Sequence, residues 1–225
     1  MATTTRVTLQ QFLAVPESKP YRELVDGEVC EKPMPNQTHG VMVARLIHLL
    51  MTHQDTNDTF HVATEVRYAD VEHSWVFLPD ISVTLNARLP GPARSHGNPV
   101  EVMPDFAIEV LSPEDRPGMV ARKITFYRRA DVTLLWIIDP ETETITVWER
   151  GADPYEAPPA IPLSAAPILA DFGLDIRRSL PSSTGNCATE PGDLARDRLA
   201  TAYDIRGPAN FDSMAPAGAL VRERR

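Results

Sequence analysis

Apolar residues change their spacing several times along the chain, and each change marks an element. In "HGVMVARLIHLL" Val43, Leu46, Ile47 and Leu50 fall at i, i+3, i+4 and i+7, the stripe of an amphipathic helix running from about Thr38 to about Thr52. Ahead of it, Leu9 to Leu13 predicts a short helix. "YRELVDGEVCEKP" (residues 21–33) predicts a hairpin turning at Asp26-Gly27, a dipeptide suited to the positive φ of a two-residue turn. "FHVATEVRYA" (60–69) and "WVFLPDISVTL" (75–85) read as strands, and the Pro, Gly, Asn and Ser content of 86–103 reads as a long loop. A further strand lies in "PDFAIEVLSPEDR" (104–116), and "RPGMVARKITFYRRA" (116–130) predicts a helix with Pro117 in its first turn. "TLLWIIDPETETITVWER" (133–150) gives two strands around a turn at Pro140, the first apolar on both faces and therefore central.

The resulting order is helix, three strands, helix, strand, with a hairpin before it and another strand behind. That is an α/β or α+β sheet domain. After about Arg178 the composition shifts to Ser, Pro, Gly, Ala and Asn without periodicity, so residues 1–178 are expected to form the folded domain and 179–225 a poorly ordered tail. A content of 43% hydrophobic and 24% charged residues fits a globular chain. No stretch approaches the roughly 18 consecutive apolar residues of a membrane span, and "MATTTRVTLQQF" lacks the layout of a signal peptide, so a cytoplasmic location without membrane contact is expected. Cys30 and Cys187 stand far apart with no ligand spacing around them, which indicates neither a disulfide framework nor a zinc site. The net charge of −9 argues against a broad basic surface that grips nucleic acid by phosphate neutralisation, so any such contact must be local.

Two acids break apolar runs. In residues 104–116 Phe106, Ile108 and Val110 alternate with Ala107, Glu109 and Leu111, which leaves Glu109 as the one carboxylate in a strand apolar on both faces. An unpaired buried carboxylate costs several kcal/mol, so it calls for a compensating partner. Asp80 sits likewise among Val76, Phe77, Leu78, Ile81 and Val83, just after Pro79, which cannot donate a ladder hydrogen bond. If their strands are neighbours, about 4.8 Å apart, the two carboxylates could converge on one divalent ion, Mg2+ being the usual guest of two carboxylates plus water. Lys123 is the third candidate: Lys19, Lys32 and Lys123 are the only lysines beside 19 arginines, and Lys123 lies on the helix that follows the Glu109 strand. Two acids, a metal and a cation suit phosphodiester hydrolysis. The plainer alternatives are a turn or capping role for Asp80, a buried ion pair between Glu109 and an arginine such as Arg128, and a solvated position for Lys123. Asp105 lies about 13 Å from Glu109 along one strand, too far to share an ion, and reads as a strand-start residue.

In this order, "ELVDGEV" (23–29), His39 at the first helix, "PDISV" (79–83), "PDFAIEVLSPEDR", "RKITFYRRADV" (122–132) and "LLWIIDP" (134–140) resemble the Uma-two family of restriction endonucleases, within the PD-(D/E)XK nuclease superfamily. The resemblance spans roughly residues 7 to 178 and implies a restriction-endonuclease-like αβββαβ core, a mixed central sheet flanked by helices and preceded by a β-hairpin. It implies Asp80 and Glu109 as metal ligands and Lys123 as the catalytic lysine. Glu23, Glu28 and His39 also sit in matching motifs and are further candidates: the two glutamates as extra acids near the metal or as solvated hairpin residues, His39 as a helix N-terminal residue that helps hold a phosphate or as a plain first-turn residue. The superfamily lysine two residues after the glutamate is absent, because position 111 is Leu111; the resemblance implies that Lys123 on the following helix takes its place. Asp131 stands where the family usually has glycine, and aspartate tolerates the left-handed conformation.

The function expected is metal-dependent DNA endonuclease activity with Mg2+ or Mn2+, and DNA and the metal ion are the expected partners. The rival is a catalytically inactive binding or regulatory protein of the same fold, which the acidity favours; hydrolysis of RNA or another phosphodiester shares the same site. Clustering of Arg67, Arg88, Arg94, Arg116, Arg122, Arg128 and Arg129 beside the acids would favour the nuclease. Oligomeric state stays open, with a homodimer as one option because the hairpins offer strand edges.

Overall fold

A computed structural model describes residues 6–89, 99–100, 102–115, 117–158 and 162–175. The expected tail at 179–225, much of the loop at 86–103, Cys187, Arg94 and Arg116 lie outside the described residues. The first helix, α1 (Leu9–Ala14), opens with a capping box in which Thr8 and Gln11 bond reciprocally, side chain to backbone N–H. Strands β1 (Arg22–Val25) and β2 (Glu28–Glu31) form the hairpin, and Asp26 and Gly27 take φ of 51° and 78°, as a type I′ turn requires. Helix α2 (Gln37–Thr56) begins at Asn36, whose side chain accepts the His39 N–H, and runs one turn beyond the predicted end.

The two strands predicted at 60–69 and 75–85 each divide in the structure. The first becomes β3 (Phe60–Ala63) and β4 (Tyr68–Asp70), the second β5 (Trp75–Phe77) and β6 (Ile81–Leu85). Glu65 turns the chain with a φ of 50°, and Pro79 interrupts the other ladder because it has no N–H. The two breaks lie side by side, Glu65 N–H donating to the Pro79 carbonyl at 3.2 Å. Each strand thereby crosses from one sheet to another. β3 and β6 join a six-stranded sheet with β7 (Phe106–Val110), β8 (Leu134–Asp139), β9 (Thr144–Glu149) and β10 (Tyr155–Glu156), in the order β10–β9–β8–β7–β6–β3. The halves β4 and β5 extend the hairpin into an antiparallel four-stranded sheet, β2–β1–β5–β4.

Only β7 and β8 run parallel in the large sheet, joined by α3 (Pro117–Arg129). Read through that sheet, the order α2, β3, β6, β7, α3, β8 is the αβββαβ core expected from the sequence, in a mixed sheet flanked by helices. A last pair, β11 (Leu163–Ser164) with β12 (Gly173–Leu174), was not foreseen.

Alternation divides the large sheet's faces. Ile81, Val83, Phe106, Ile108 and Val110 pack with Met42, Leu46 and Leu50 of α2 in the main core, together with Trp136 and Phe172. Each such side chain contributes on the order of 1.5–3 kcal/mol when fully buried. α3 lies on the opposite side and meets β5, Phe126 packing against Phe77 with ring centres 4.2 Å apart and the rings tilted by 37°. Among the described residues no helix is long and apolar enough to cross a membrane.

Candidate active site

Ile81 pairs with Ile108 across the antiparallel β6–β7 ladder, so one step further along the register Asp80 faces Glu109. Because Ile81 and Ile108 point into the α2 core, both acids point to the other side, toward α3 and the small sheet. Pro79 has ended the preceding strand, and the Asp80 carboxylate takes over its hydrogen bonding: Oδ2 accepts the Val110 N–H at 2.8 Å. The sequence condition that the two acids lie on neighbouring strands is met.

Both carboxylates are buried and fully engaged. Asp80 Oδ1 lies 2.7 Å from Lys32 Nζ, which also donates to the Leu78 carbonyl at 2.9 Å, and Oδ2 lies 3.2 Å from His39 Nε2. Glu109 Oε1 accepts from the Tyr127 hydroxyl at 2.6 Å, and Oε2 accepts from Lys123 Nζ at 3.1 Å. Lys123 Nζ is also 3.8 Å from Glu23 Oε1, which takes the Leu78 N–H at 3.2 Å. The hairpin thus delivers Glu23 from β1 and Lys32 from just beyond β2, while α3 delivers Lys123 and Tyr127 one turn apart on one face.

Electrostatics separate the two acids. Burial works to raise Asp80, but Lys32, His39 and Lys123 together outweigh it and hold its carboxyl well below the usual carboxylate range. Burial, reinforced by Asp80 and Glu23, outweighs Lys123 and Lys32 at Glu109 and pushes it up to about 7. Against the opposing effect of burial, the surrounding carboxylates raise both lysines, which keeps them charged. Burial and the adjacent Glu109 hold the Tyr127 hydroxyl protonated, as a donor. Three carboxylates therefore share two ammonium groups.

Asp80, Glu109, His39, Lys32 and Lys123 line a small cavity of about 20 Å³, enough for about one water molecule. His39 Nδ1 is buried nearby with no hydrogen-bond partner. Lys32, Lys123 and Asp115 also line a groove of about 660 Å³ that Glu23, Glu31 and Glu114 make acidic. Among the described residues no three His, Cys, Asp or Glu side chains gather as a ready metal cage. Asp80 and Glu109 present hard carboxylate oxygens, the donor type that would suit a Mg2+-class ion at this site.

Of the residues singled out from sequence, Asp80, Glu109, Lys123, Glu23 and His39 come together. Glu28 does not: it is exposed on β2 and pairs with Arg122 at 3.1 Å. Arg128 is exposed and is not the partner of Glu109, which has Lys123 instead. Asp105 accepts from the Leu85 N–H and pairs with Arg88, a strand-start role. Arg67 pairs with Glu17 and Arg129 lies over Trp75, so with Arg88 and Arg122 these arginines are committed away from the acid pair. Lys32 and Tyr127 were not foreseen as site residues. Two of the chain's three lysines meet here, so lysine scarcity was the available signal for Lys32.

An αβββαβ mixed sheet with an acid pair across its neighbouring β6 and β7 strands defines the restriction-endonuclease-like fold. A crystal structure from Anabaena variabilis ATCC 29413, titled as that of "a putative nuclease belonging to DUF820", shares it with a TM-score of 0.68 and 24% identity, over 77% of this chain and 97% of that chain. No curated protein matches the sequence. Residues 9–178 match Uma2, the family described as "Putative restriction endonuclease", and the chain belongs to that family.

Proposed function

We propose that the protein is a metal-dependent endonuclease hydrolysing DNA phosphodiester bonds, with Asp80 and Glu109 holding Mg2+ or Mn2+ and Lys123 as the catalytic cation. The observation that carries this reading is the register placing Asp80 opposite Glu109 at a cavity that Lys123 also lines. A bound divalent ion would supply Lewis acidity that lowers the pKa of an attacking water and offsets charge on the scissile phosphate. Asp80 presents a carboxylate that Lys32 and His39 favour in its charged form, oriented by the Val110 N–H. Tyr127 fixes one oxygen of Glu109. Lys123 brings a positive charge to the junction of cavity and groove, where it can meet a phosphate oxygen. Glu23 and His39 position Lys123 and Asp80 respectively.

The test is incubation of the purified chain with supercoiled plasmid and Mg2+ or Mn2+, beside EDTA controls and the Asp80→Ala, Glu109→Ala and Lys123→Ala variants. Nicking that needs metal and drops at least about a hundredfold in each variant is the expected outcome. Absence of cleavage by the wild type with every divalent ion would overturn the reading. A second reading, an inactive nuclease-fold protein that binds or regulates, is favoured by two observations: the groove is acidic, and the arginines above are engaged elsewhere.

A further inference from the structure

We infer that Lys32 is an exchangeable counter-ion of the site: it holds Asp80 in the metal-free protein and gives up that oxygen when a divalent cation binds. The inference rests on the reading that Asp80 and Glu109 hold such an ion. Its basis is the division of labour between the two Asp80 oxygens. Oδ2 is occupied by the Val110 N–H and His39 Nε2, whereas the partner of Oδ1 is the Lys32 ammonium, 2.7 Å away. A cation entering the cavity of about 20 Å³ therefore meets Oδ1 with a positive charge already on it. Two cations sharing one buried carboxylate oxygen repel strongly, because the interior screens them far less than water does. One of them has to leave.

Lys32 is built to be the one that moves. Its backbone is pinned, N–H to the Tyr21 carbonyl at 2.7 Å, so the displacement needs only the four-carbon stem. Its side chain lines both the small cavity and the acidic groove of about 660 Å³, where Glu31, Glu114 and Asp115 offer the ammonium other carboxylates. Lys123 is shared between two carboxylates, Glu109 and Glu23, whereas Lys32 has one carboxylate, Asp80, and would give up only the Leu78 carbonyl besides it. The competing account makes Lys32 a fixed pin that shapes Asp80 and the Leu78 carbonyl for the metal. The two accounts differ in sign: a competitor weakens metal binding, and a pin strengthens it.

The experiment is titration of the full chain with Mn2+, followed by calorimetry and by the metal-induced shift in Tm, for wild type, Lys32→Met and Lys32→Gln. Both variants should bind Mn2+ at least about tenfold more tightly than wild type. They should also melt lower than wild type in EDTA and gain more from saturating Mn2+, since the metal then replaces the lost charge. Equal or weaker affinity in the variants, with wild type binding, overturns the inference and leaves the metal reading standing. Binding in none of the three proteins overturns both. Variants that stay unfolded at every Mn2+ concentration also overturn the inference, because an ammonium that metal cannot replace is a pin.

Discussion

Burial pushes Glu109 from its ordinary value of 4.5 up to about 7, while the cations around Asp80 hold that residue low, and the two shifts act on stability in opposite directions. Between about pH 4.5 and 7 the folded chain keeps a proton on Glu109 that the unfolded chain has released, so stability falls as pH rises through that window. For Asp80 the unfolded chain binds the proton first, and stability falls as pH drops below about 4. In EDTA the Tm of the wild type should decline from about pH 5 to 7, and Glu109→Gln should flatten that decline. A decline of unchanged slope in the variant would show that Glu109 is not its source. Glu109 and Asp80 were legible because a carboxylate in an apolar run is conspicuous. Lys32 and Tyr127 were not, since their role comes from contacts with acids 48 and 18 residues away in sequence that no local pattern encodes.

The hairpin that supplies Glu23 and Lys32 depends on its turn. Gly27 has a φ of 78°, and a Cβ placed there would lie 2.8 Å from the Arg6 Cβ. Gly27→Ala should therefore cost at least about 1–2 kcal/mol. Gly40→Ala in α2, where an added Cβ meets nothing within 4 Å, should instead gain up to about 1 kcal/mol. Urea unfolding of the two variants checks both signs. The hairpin was legible from its turn dipeptide, α2 from its apolar stripe, α3 from Pro117 at its start, and β7 and β8 from short runs apolar on both faces. The division of the predicted strands was not. Through Thr64 to Arg67 the alternation gives no sign of a break, and Pro79 marked its neighbour only as a weak point. The two-residue strands β10, β11 and β12 are too short to show a period at all.

For the whole molecule, a net charge of −9 and a groove whose described cations are Lys32 and Lys123 imply that few phosphates are neutralised on binding. Oligonucleotide affinity measured with Ca2+ in place of Mg2+ should fall with salt at a log–log slope of about −2, far shallower than for a basic DNA-binding surface. A slope of about −6 or steeper would place a cationic face elsewhere on the chain. The crossing of both long strands from one sheet to the other has a mechanical meaning as well. The covalent path passes between the sheets twice at one seam, and the buried ion network sits on that seam, so neither sheet can separate without stranding charges in an apolar interior. Trp75 belongs to the small sheet and Trp136 and Trp148 to the large one. Fluorescence from versions retaining Trp75 alone or Trp136 alone should then trace one coincident melting curve, the seam acting as a weld that makes two sheets a single cooperative body.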